Sequence, residues 1–119
     1  MDIHDLHNQF CEYQATIRNM QPNTILNYKT SKKLFCKLLP HIQTIEQVGY
    51  HDVNQFFYIG RSERNWKPIT FITHHKNLAV FFKWCMKHKY LGENPMKDIE
   101  KPRLERKLLT RLSKQLILG

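Results

Sequence analysis

KPITFITHHKNLAVFFKWCMKHKYLGENPM, residues 67–96, is the stretch on which the reading of this chain turns. Pro68 suits the first turn of a helix, where the amide hydrogen that it lacks would have no intrahelical partner. Phe71, Leu78, Phe82 and Cys85 then recur at helical spacing, with Ala79 and Met86 flanking them. Thr73, Lys76, Lys83 and Lys87 occupy the opposite face. Gly92, able to take a left-handed backbone, and Pro95, unable to continue a helix, are the expected stop. One side of this long helix calls for a core, and the other for a polar or negatively charged partner.

Working outward toward the N-terminus, Ile3, Leu6, Phe10, Tyr13, Ile17 and Met20 form one apolar stripe on a first helix, broken at Gln21-Pro22. Asn23 is the expected N-cap of a second helix, whose apolar arc is Ile25, Tyr28, Phe35, Leu38 and Leu39. Lys29, Lys33 and Lys37 stand four apart on its other side, and no acidic residue falls between Asn23 and Leu39. Thr44-Ile45-Glu46-Gln47 matches a capping box that opens a short helical turn closed by Gly49. Asp52 is the expected cap of a third helix through Val53, Phe56, Phe57 and Ile59, and the polar run GRSERNWK (residues 60–67) is expected to be a loop. No strand-like alternation, internal repeat or low-complexity tract is visible, so the fold class is all-α.

The 119 residues, 41% of them hydrophobic, suffice for one compact domain. Nineteen Lys and Arg against ten Asp and Glu give a net charge of +9, a field that attracts polyanions, nucleic acid first and acidic membrane surface second. The charge is uneven. KPRLERKLLTRLSKQLILG, residues 101–119, holds six basic residues against Glu105 alone. Pro102 opposes helix at its start, and Leu112-Ser113 resembles the beginning of another helix, so the expected division is a domain over 1–100 and a basic linker over 101–119. No apolar run approaches the roughly 20 residues that span a bilayer, and the polar N-terminus is unlike a secretory or transit signal. Cys11, Cys36 and Cys85 are odd in number and far apart, which fits reduced thiols in the cytoplasm.

The order of these features resembles the N-terminal core-binding domain of tyrosine recombinases, the phage-integrase and Xer-like site-specific recombinases. Phe10 and Tyr13, then Asn23-Thr24-Ile25-Leu26-Asn27-Tyr28 with Phe35, are similar to the family's entry into its second helix. Thr44-Ile45-Glu46-Gln47-Val48 with Asp52-Val53 and Phe56 resembles its third-helix entry. Phe81-Phe82-Lys83-Trp84 resembles the aromatic cluster late in its long helix. Asn94-Pro95-Met96, Ile99 and Lys101-Pro102-Arg103 are similar to its exit and basic linker, and Leu112-Ser113 to the entry of its catalytic domain. The likeness departs at His74-His75, where many relatives carry arginine or another basic residue.

The resemblance implies a four- to five-helix SAM-like bundle of two crossed helical hairpins, with the second and fourth helices facing the DNA major groove. It implies double-stranded DNA as ligand, other recombinase protomers as partners in a tetramer, and no cofactor. The family's catalytic residues belong to a further domain and none is carried over, so this chain is expected not to be an enzyme by itself, and the fragment alone is compatible with a monomer. The candidate DNA-binding residues are Asn23, Thr24, Lys29, Lys33, Lys37, Thr73, Lys76, Asn77, Lys83, Lys87, Lys101, Arg103, Arg106 and Lys107. Lysines neutralise phosphates, and Asn and Thr can read base edges. Two other readings compete: a helix-turn-helix regulator, which the long fourth helix and Asn-Pro exit oppose, and a basic adaptor for a protein or acidic lipid.

Three residues tempt toward other chemistry. Tyr28 lies in the apolar arc without an Arg or His cluster nearby in sequence, and reads as core rather than nucleophile. His4, His7 and Cys11 share a helix face but offer only three ligands, with Phe10 beside them. His75 falls in the apolar arc and reads as a hydrogen-bonded core residue. Trp84 falls outside that arc, and the sequence leaves open whether it packs on a neighbouring helix or lies near the ligand.

Overall fold

The computed structural model describes residues 1–103; Leu112-Ser113 and the basic residues Arg106 and Lys107 lie outside the described residues. Among the described residues there are four α-helices and no strand: α1 (Ile3–Thr16), α2 (Pro22–Leu38), α3 (Tyr50–Ser62) and α4 (Pro68–Lys87), with a 3-10 turn at Ile45–Gln47 between α2 and α3. The helices form two hairpins, α1–α2 and α3–α4. The second arms, α2 and α4, pack on each other, and α2 also touches α1 and α3.

Helix boundaries differ from expectation for local reasons. Helix α1 ends at Thr16, so Ile17, 65% exposed, drops out of the apolar stripe. Asn23 is not the N-cap of α2: the helix starts two residues earlier, with Gln21 as cap and Pro22 in its first turn. Asp52 likewise sits inside α3, where its carboxylate accepts the Gly49 amide at 3.1 Å, and Gly49 is the cap. Gln47 reaches back as expected, accepting the Gln43 and Thr44 amides at 2.7 and 3.0 Å. Helix α4 stops at Lys87, ahead of Gly92. Its left-handed residue is Lys89 (φ 65°), with Tyr90 N–H bonding Cys85 O at 2.8 Å and Lys89 N–H bonding Met86 O at 3.0 Å. That pairing is a Schellman closure, which satisfies the last carbonyls without glycine.

The segment expected to be a loop over 60–67 begins as helix, since α3 continues to Ser62, and it contains a core residue. Trp66 is buried against Phe56 and Phe57 and lies flat over Gly60, where an added Cβ would fall 2.2 Å from its ring. Only glycine permits that approach.

The two hairpins turn by one device. Arg18-Asn19-Met20-Gln21-Pro22 and Arg64-Asn65-Trp66-Lys67-Pro68 share Arg-Asn, two further residues and Pro. Asn19 and Asn65 are both left-handed (φ 53° and 55°). Met20 N–H bonds Gln14 O and Trp66 N–H bonds Gly60 O, both at 2.9 Å. A shift of 46 residues, the separation of Ser31 from Asn77, therefore carries α1 onto 49–62 and α2 onto 68–84, close to the bounds of α3 and α4.

The core obeys the same shift. Phe10 maps to Phe56 and Phe35 to Phe81. The Phe10–Phe81 ring distance, 5.3 Å, has its counterpart in Phe56–Phe35 at 5.2 Å. Ser31 and Asn77, mates under the shift, bond each other at 2.9 Å. The domain thus contains a repeat after all, approximately two-fold about the α2–α4 contact. It is concealed because only turn and core positions carry it.

His7 lies in this core, 4.7 Å from Phe81 and with Nδ1 3.5 Å from Cys11 Sγ. Burial, aided by the charges of Lys32 and Lys29, pushes its pKa down to about 3. An unfolded histidine takes up its proton near 6.5, whereas the native ring stays neutral until about 3. Stability is therefore complete above pH 6.5 and falls with pH across that window, by about 1.4 kcal/mol per unit. Denaturant titrations at pH 7.5 and 5 should show this loss. His7→Leu should flatten it, and an equal loss in the variant would exonerate His7.

Candidate nucleic-acid interface

Helix α4 has 20 residues, roughly 30 Å of length, and one face of it carries Thr73, Lys76, Val80, Lys83 and Lys87 at spacings of three and four. The turn after α1 and the first two turns of α2 stand opposite. Between these walls runs a groove of about 920 Å³. Its lining includes Arg18, Thr24, Asn27, Thr73, Lys76, Asn77, Lys83 and Lys87, with Tyr28, Val80 and Trp84 supplying apolar surface. Among the described residues, four of those lining it are basic and none is acidic.

Of the residues singled out from sequence, the groove brings together Thr24, Thr73, Lys76, Asn77, Lys83 and Lys87. Asn23, Lys29, Lys33, Lys37, Lys101 and Arg103 are exposed but outside it. Lys29 lies toward α1, close enough that its charge acts on His7 and Cys11. The 46-residue shift carries Lys37 onto Lys83, so the far end of the α2 stripe repeats the α4 position on the other hairpin.

Two polar candidates prove to be committed internally. Asn77 is 7% exposed, and its side-chain amide donates to Ser31 Oγ at 2.9 Å and to Asn27 O at 3.3 Å. Ser31 Oγ also lies 2.8 Å from His74 Nδ1. This network locks α2 to α4, and burial, with Arg64's charge, lowers the His74 pKa. Thr73 donates its hydroxyl proton to Ile69 O at 2.9 Å, one turn back. Asn77 consequently positions the groove's walls, and Thr73 retains only acceptor capacity.

Sequence reasoning missed Arg18 and Asn27. Arg18 lies in a turn, beyond any helical stripe. Asn27 did leave a signal: Thr24, Asn27 and Ser31 form a small polar row at spacings of three and four beside the apolar arc of α2.

Trp84 packs on the first helix and also lines the groove. Its ring packs 5.7 Å from Phe10 and 6.1 Å from Tyr13 while lining the groove. Tyr28 is core, 5.3 Å from Phe10. His75 stacks on Phe71 at 6.3 Å, and its buried Nε2 has no partner among the described residues. The His4 ring pairs with Lys32 and His7 is enclosed, so the first helix face does not present its three donors together. All three cysteines are free, and burial raises each thiol pKa, that of Cys85 to about 12. Such thiols are poor nucleophiles.

An all-helical domain of two hairpins with a basic groove beside their shared contact is the class that fold and surface define. The profile of the phage integrase N-terminal SAM-like domain matches residues 7–89, and the chain belongs to that family. No curated protein and no solved structure matches the chain. No helix among the described residues is long and apolar enough to cross a membrane.

Proposed function

We propose that this chain is a double-stranded-DNA-binding domain of a site-specific tyrosine recombinase, which positions a core site for strand exchange. The observation that carries this reading is the groove in which Arg18, Lys76, Lys83 and Lys87 stand together, with no acidic residue lining it among the described residues. Apolar walls at Val80 and Trp84 beside those cations favour a polyanion with hydrophobic edges, as the bases of a duplex present. Phosphoryl transfer belongs to a catalytic domain outside these 119 residues, and other recombinase protomers are the expected protein partners. The division into a domain over 1–100 and a basic linker over 101–119 goes with this reading, the exposed Lys101 and Arg103 leading the duplex onward.

The measurement is a salt titration of duplex binding. If the four groove cations each meet a phosphate, log K should fall by roughly 3.6 per decade of salt, making binding ~100-fold weaker at 200 mM than at 50 mM. A slope near zero, or tighter binding to anionic vesicles than to DNA at matched salt, would transfer the groove to the adaptor reading.

A further inference from the structure

Phosphate contacts give affinity without sequence information, so a domain that positions a particular site needs at least one group that reads bases. Three of the polar side chains in the groove, Asn27, Thr73 and Asn77, differ in what they have left to offer. Asn77 has spent its donors on α2, and Thr73 has returned its proton to its own helix. Asn27 differs from both. It is exposed in the groove, and its side-chain amide has no hydrogen-bond partner among the described residues.

Its backbone, by contrast, is held: Asn77 Nδ2 donates to Asn27 O at 3.3 Å, within the Ser31–Asn77–His74 network. A free carboxamide on a pinned backbone stays available to a partner outside the protein. The 46-residue shift maps Asn27 onto Thr73, which places the two at equivalent positions of the hairpins' second arms, beside the α2–α4 contact. Lys76 and Lys83 follow along α4 in the same groove.

We propose that Asn27 is a base-reading residue of this surface, offering its carboxamide oxygen and amide to the N6 donor and N7 acceptor of an adenine in the major groove. A carboxamide matches that paired donor and acceptor, whereas a lysine presents donors only. The inference rests on the DNA-binding reading above. It adds a specificity-determining role to a residue outside both lysine stripes.

The test is selection from a pool of random duplexes at low salt, using the 119-residue chain and its Asn27→Ala and Lys83→Ala variants, followed by salt titration on the selected duplex. The native chain should enrich adenine at one position. Asn27→Ala should lose that preference, with discrimination there falling roughly 5- to 150-fold, while the salt slope stays unchanged. Lys83→Ala should weaken all duplexes alike and reduce the slope by roughly 0.9. Matching thermal unfolding of native chain and Asn27→Ala is expected, because the side chain makes no hydrogen bond among the described residues. Retention of the adenine preference by Asn27→Ala overturns the proposal, as does a native chain that enriches no base while still binding with a salt slope. Absence of salt-dependent binding to any duplex overturns the DNA-binding reading as well.

Discussion

A chain carrying Lys76→Ala, Lys83→Ala and Lys87→Ala should bind duplex DNA roughly 10²- to 10³-fold more weakly at 0.1 M salt, with its salt slope cut from roughly −3.6 to −0.9. The three ammonium groups lie in one groove with Arg18, so each removal should forfeit about one released counterion. The comparison that gives this result its meaning is Lys29→Ala, Lys33→Ala, Lys37→Ala, which also removes three positive charges. A general field effect would penalise both triple variants equally. Because Lys29, Lys33 and Lys37 lie outside the groove, and Lys29 leans toward α1, the second variant should lose much less. Equal losses would show that net charge, and not the groove, governs binding.

Phe81→Ala should cost about 3–5 kcal/mol, a large share of the ~5–15 kcal/mol that holds a domain of this size together. Phe81 is 1% exposed and sits 5.3 Å from Phe10, 5.4 Å from Phe82 and 4.7 Å from His7, so its removal opens a cavity where both hairpins meet. Phe35→Ala should cost a similar amount, since Phe35 holds the equivalent place against Phe56. Denaturant unfolding measures both. A loss below ~1 kcal/mol at either position would mean that the core has no such paired arrangement.

The separate fates of similar residues show how much the sequence disclosed. Lys76, Lys83 and Lys87 were legible as one face because helical period alone aligns them. Lys29, Lys33 and Lys37 have the same period, yet fall outside the groove, because period fixes which residues share a face and not what that face meets. Asn77 looked like a border residue available to DNA and is instead a buried tie to α2. Trp66 sat in a polar run that read as loop, and its burial depends on Gly60, six residues back, leaving space beneath the ring.

Apolar periodicity and the Pro68 start determined by themselves that this chain is all-α, with a long helix from Pro68 carrying lysines opposite a core face. Those are local consequences of backbone geometry, expressed within a few turns. Which helix faces which, and so which polar groups remain free, was decided only by tertiary structure. Docking α2 on α4 consumes the Asn77 amide, leaves Asn27 outward and brings Arg18 beside the α4 lysines. Most buried polar groups find partners wherever the packing puts them, and the Asn77 amide bonds a carbonyl 50 residues away along the chain.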